Sequence, residues 1–152
     1  MKIKRELPQF EDKKTLLLVT GKQEAVIYIA YKGVIEKIVE VKVETPKYSD
    51  REGFFARTGR GKNLGSGSAY EDAGIEIKKQ FFNEISTKLK ILAKNQKIRV
   101  LYLFTPVYMS KQLPAALPKS IANAIVAVYH GNFRSEHPFI LLAKISSDKK
   151  IA

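Results

Sequence analysis

The run Ile98-Arg-Val-Leu-Tyr-Leu-Phe104 restricts the fold more than any other stretch of the chain. It is nearly all apolar, so neither face of a strand built from it can sit in water. It is too short for a buried helix, and Pro106 closes it. A strand of this kind belongs in the interior of a sheet that carries helices on its faces.

The residues before it supply partners. Thr15-Leu-Leu-Leu-Val-Thr20 reads as a second buried strand, followed by a turn at Gly21-Lys-Gln-Glu24. Ala25 to Tyr31 reads as a strand, and Lys32-Gly33 as a tight connection. From Val34 to Glu44, Ile38, Val39, Val41 and Val43 alternate with Glu36, Lys37, Glu40, Lys42 and Glu44. That period of two marks a half-exposed strand near a sheet edge. The opening third is thus an antiparallel meander behind an amino-terminal tail, residues 1–13.

Between Thr45 and Ser68 the periodicity is lost, and the residues are Pro46, several glycines and Arg51, Arg57, Arg60 and Lys62. A connection of this length inside a compact domain is uncommon and is usually functional or disordered. Ser68-Ala-Tyr-Glu71 has the form of a capping box and predicts a helix start at that point. Ala73, Ile77, Phe81, Ile85, Leu89 and Leu92 then recur at helical spacing as the buried stripe. Lys79, Asn83, Ser86, Lys90 and Lys94 fall on the solvated side, and the helix is expected to end near Asn95.

Beyond the Ile98–Phe104 strand, residues 111–124 predict a short helix broken up by Pro114 and Pro118. Ala124 to Tyr129 predicts another buried strand, and Pro138 to Ile145 a final helix with proline in its first turn. The order β-β-β-loop-α-β-α-β-α predicts one α/β domain over residues 1–152, a mixed five-stranded sheet with flanking helices.

Lys and Arg number 27 against 15 Asp and Glu, a formal charge of +12 on 152 residues. Such a field suits polyanions, although a lysine-rich composition is also common in small proteins for no functional reason. Without cysteine there is no disulfide, thiolate metal site or cysteine nucleophile. The charged amino terminus has no apolar segment behind it and no run is long enough to span a membrane, so a cytoplasmic location is expected.

The stretch Arg57-Thr-Gly59-Arg60-Gly61-Lys62-Asn63-Leu-Gly65-Ser-Gly67-Ser68 has a chemical reading of its own. Glycine lets the backbone approach a phosphate closely, and arginine can grip it with two parallel hydrogen bonds. RNA contact, a flexible linker and a nucleotide pocket are the open readings. A Walker loop is not among them, because Asn63 follows Gly61-Lys62 where Ser or Thr would be required. No catalytic set emerges elsewhere. His130 and His137 lack a positioned partner, and Leu16-Leu-Leu18 and Val100-Leu-Tyr-Leu103 carry none of the carboxylates of a nuclease site. Tyr28, Tyr31, Tyr102, Tyr108 and Tyr129 are expected in core packing, with Phe54-Phe55 anchoring the loop.

The Leu16-Leu-Leu-Val-Thr-Gly21 start, the Gly/Arg loop, the amphipathic helix, Val100-Leu-Tyr-Leu-Phe-Thr-Pro106, Val126-Ala-Val-Tyr129 and Glu136-His-Pro138 together resemble the release-factor-related proteins of bacteria and archaea, many labelled host attachment proteins. These are similar to the central domain of the class-one eukaryotic and archaeal release factors, an RNase-H-like α/β domain. In that domain the corresponding loop carries Gly-Gly-Gln, whose glutamine positions water against peptidyl-tRNA. Here Gly59-Arg60-Gly61 matches the loop, but Lys62 and Asn63 stand where Gly and Gln would be needed. The resemblance therefore implies a ribosome-binding module that contacts rRNA or tRNA through Arg57, Arg60, Gly61, Lys62, Asn63 and Lys79, with no catalytic residue, metal or cofactor. A peptidyl-tRNA or aminoacyl-tRNA hydrolase with a degenerate loop is the alternative, and a host-attachment interaction protein a second.

Overall fold

A computed structural model of the protein describes residues 1–44 and 63–151, with side chains for 1–44 and 74–148. The strands β1 (Thr15–Thr20), β2 (Glu24–Tyr31) and β3 (Val34–Lys42) form the antiparallel meander, with Leu18 opposite Ile27 and Ala30 opposite Ile35. A helix, α1 (Asn63–Gln96), leads to β4 (Val100–Thr105). A 3-10 turn (Val107–Met109) and two short helices, α2 (Gln112–Ala116) and α3 (Lys119–Ala122), then lead to β5 (Ile125–His130). The last helix is α4 (Pro138–Ile151).

The sheet order is β3-β2-β1-β4-β5, with β4 parallel to both β1 and β5. This is the mixed five-stranded α/β sheet expected, and β1 and β4 lie inside it. Their apolar runs divide by parity between two cores. Leu16, Leu18, Leu101 and Leu103 meet Phe81, Ile85, Leu89 and Leu92 of α1 on one face. Leu17, Val19, Tyr102 and Phe104 meet Leu141, Leu142 and Ile145 of α4 on the other. Each strand is apolar throughout because each successive side chain enters a different core.

Residues 1–13 are tied to the β2–β3 turn. Ile3 is buried and its N–H donates to the Gly33 carbonyl at 2.8 Å. Gly33 N–H donates to the Gln9 carbonyl at 2.8 Å, and Ile35 N–H to the Met1 carbonyl at 2.9 Å. The turn itself has positive φ at Lys32 (47°) and Gly33 (75°), the geometry a two-residue hairpin demands.

Four local expectations are corrected. Helix α1 starts at Asn63, five residues before Ser68, so the capping-box sequence lies within it. A capping box is a local option that tertiary context can bypass. With no proline between Pro46 and Pro106, nothing in the chain forces the helix to stop at Ser68. Ser86 is buried, not solvated, because it lies between Phe82 and Leu89 on the shoulder of the packed stripe. Strand β5 is an edge strand with Val126 and Val128 exposed, since its place at the end of the sheet is set by topology and not by its own composition. Tyr108 is 58% exposed in the 3-10 turn, beyond the reach of either core.

Candidate nucleic-acid interface

Strands β1, β4 and β5 are parallel, so Thr20, Thr105 and His130 share one end of the sheet. Lys42, at the close of β3, pairs with Glu24 and reaches the same end. The described chain therefore reaches Glu44 at the carboxyl-terminal end of the parallel strands. That is the side on which open α/β sheets bind ligands.

Helix α1 descends from this end. Gln96 accepts a hydrogen bond from Lys14 Nζ at 2.9 Å beside the start of β1, so the last turn is at the opposite end of the sheet. Lys78 Nζ donates to Gln112 Oε1 of α2 at 2.8 Å, close after the carboxyl end of β4. The helix turns preceding Lys78, residues 63–77, represent about 22 Å of the roughly 51 Å that 34 helical residues span. The first described side chains on this stretch, Gly74, Ile75 and Glu76, are exposed. Ile77 is half-buried against the core, and Phe81, Ile85 and Leu89 follow it there. A Cβ built on Gly74 meets nothing within 4 Å.

Of the expected contact residues, Arg57, Arg60, Gly61 and Lys62 lie outside the described residues, as do Phe54 and Phe55. Asn63 is the first residue of α1. Lys79 is exposed on α1, in a row with Lys90 and Lys94, which follow at near-integral helical turns. Among the described residues none of these three lysines joins an ion pair; the pairs present are Lys37–Glu40, Lys42–Glu24 and Arg134–Glu24. Their charge is left to face solvent.

An open cleft of about 600 Å³ lies at the same end, lined in part by Lys22, Lys42, Asn132 and Arg134. Glu24 binds both Arg134 and Lys42 there, which leaves Lys22 as the cation with no acidic partner among the described residues. Arg134 lies across Gly21, where a Cβ would come within 3.2 Å of its Cδ. These residues were not visible as a group in the sequence. They come from three separate turns, and no spacing relates them.

His137 Nδ1 accepts the Phe139 N–H at 3.1 Å, which caps the start of α4, and His130 is exposed at the end of β5. Among the described residues no group of three or more His, Cys, Asp or Glu could hold a metal. No described helix is long and apolar enough to cross a membrane. The one strongly perturbed described tyrosine, Tyr129, is structural: burial first, then its hydrogen bond to Asp148, holds the phenol far above its ordinary value of 10.0.

No protein-family model matches this sequence, and no curated protein does. Solved structures do match. Pelota of Archaeoglobus fulgidus superposes with a TM-score of 0.54 at 15% identity, over 91% of this chain and 33% of that one. An archaeal translation termination factor superposes with a TM-score of 0.50 at 13% identity, over 92% of this chain and 40% of that one. The chain thus has the fold of one part of these proteins, spanning a third to two fifths of their length. The release-factor-like fold expected from the sequence is the fold observed.

Proposed function

We propose that this chain is an RNA-contacting module that acts on the ribosome, presenting residues 57–68 and the exposed lysine row of α1 to rRNA or tRNA. The observation that carries the reading is the exposed row Lys79, Lys90 and Lys94 on α1, free of acidic partners among the described residues, on a helix that follows the Arg/Gly stretch directly in the chain. Likeness of fold to a translation termination factor and to Pelota supports it. So does the +12 charge, because neutralising phosphates releases counterions and drives association.

The experiment is sedimentation with ribosomes, and binding to isolated rRNA and tRNA, over a salt series. Combined Arg57→Ala, Arg60→Ala and Lys62→Ala substitutions are expected to weaken binding and to lower the log–log salt slope by about 2–3, since each phosphate contact contributes about 0.7–0.9 to the slope. Lys79→Ala is expected to lower it by less than one. Binding and slope unchanged in the combined variant would refute the proposal. Turnover of peptidyl-tRNA that disappears in Asn63→Ala would identify a hydrolase instead.

A further inference from the structure

Beneath the carboxyl-terminal half of α1, at the end of the sheet where β1 and β4 begin, is a pocket of about 210 Å³, independent of the RNA reading. Leu16 and Leu101 of adjacent strands form its floor, and Leu89 and Ile121 its walls; all four are at most 6% exposed. The space exists because two small residues, Ala93 of α1 and Ala124 before β5, stand where larger side chains would close it. Backbone geometry holds Ala124 in place, its carbonyl accepting the Leu101 N–H at 2.9 Å. Protein interiors contain few voids much larger than a water molecule, and an apolar cavity of about 150 Å³ is known to admit benzene.

The chemistry of the lining selects its occupant. No Lys, Arg, Asp or Glu reaches the pocket, although these types make up 28% of the chain, so a charged ligand would lose its hydration with no compensating partner. Water fares little better, because it needs two to four polar partners. The one polar side chain is Ser120, exposed at the mouth, whose hydroxyl makes no hydrogen bond to another described residue. We infer that this pocket is a binding site for a small, uncharged, apolar molecule about the size of one or two fused aromatic rings, with its polar atom, where it has one, turned toward Ser120.

The test uses the full chain and three probes: benzene, indole and benzoate. Methyl-resolved NMR titration should move the signals of Leu89, Leu101, Ala93 and Ala124 with benzene and indole, and melting should shift upward with their concentration. Benzoate, of similar size but charged, should bind at least tenfold more weakly than benzene. Filling the space by Ala93→Leu should weaken indole binding at least tenfold; should that variant misfold, Ala124→Val provides the same reduction on a smaller scale. Absence of methyl shifts at saturating probe, or indole affinity unchanged in a folded filled variant, would overturn the inference.

Discussion

The hydroxyl of Thr20 donates to Oγ1 of Thr105 across 2.7 Å, joining the last residues of β1 and β4, and both side chains are fully buried. No described buried side-chain polar atom lacks a hydrogen-bond partner, and this pair accounts for two that easily could. Thr20→Val would strand the Thr105 hydroxyl in the core and should cost about 1–3 kcal/mol, the desolvation penalty of an unmade bond. The double variant with Thr105→Val removes both polar groups and should recover most of the loss. Urea denaturation of the two single variants and the double closes the cycle; strictly additive losses would show that the hydroxyls are not coupled.

Two isoleucines on α1 should respond very differently to truncation. Ile85 is fully buried against the sheet, while Ile75, ten residues earlier, is 63% exposed. Ile85→Ala is expected to destabilise the fold by about 2–5 kcal/mol and Ile75→Ala by no more than about 0.5. Comparable losses at the two positions, measured by urea unfolding, would contradict a helix whose packed stripe includes Ile85 and leaves Ile75 outside it.

The Tyr129 phenol donates to Asp148 Oδ2 at 3.1 Å and ties α4 to β5. Its pKa in the fold is raised above the ordinary 10.0, so its protonated form is favoured by folding. The resulting stability is fully present below pH 10 and declines as pH rises beyond it. Tyr129→Phe should cost about 1 kcal/mol at neutral pH, and its deficit relative to the parent should shrink above pH 10. A deficit constant from pH 7 to 11 in thermal melts would refute this account.

Gly33 sits at φ +75°, where a side chain is strained, and a Cβ there would also lie 2.9 Å from Gln9 Oε1. Gly33→Ala should lower stability by about 1–2 kcal/mol. Gly74→Ala, in open space within a helix, should raise it by about 0.5–1 kcal/mol. Matching signs for the two substitutions in thermal melts would rule out this assignment of backbone roles.

Much of the architecture is legible locally. Leu16-Leu-Leu18 and Val100–Phe104 announce interior strands, and the alternation of charged residues from Glu36 to Lys42 announces an edge, because burial on one or two faces leaves a period that can be read directly. The stripe through Phe81, Ile85 and Leu89 likewise requires a helix. The candidate site is legible only in part. Lys79 was found by its position opposite that stripe, whereas Lys22, Lys42 and Arg134 are brought together by turns far apart in the chain.

What the sequence determined by itself is the set of elements and the faces they bury, since both follow from the spacing of apolar side chains along one segment. The tertiary structure alone decided that β5 is an edge strand and that Ser86 is buried. It also decided that α1 begins at Asn63 rather than at its capping box, and that a pocket opens between Ala93 and Ala124. These properties depend on which segments become neighbours. Helix propagation is cheap once part of a helix is packed, and neither a free edge nor a cavity can be inferred from the residues that border it until their partners across space are known.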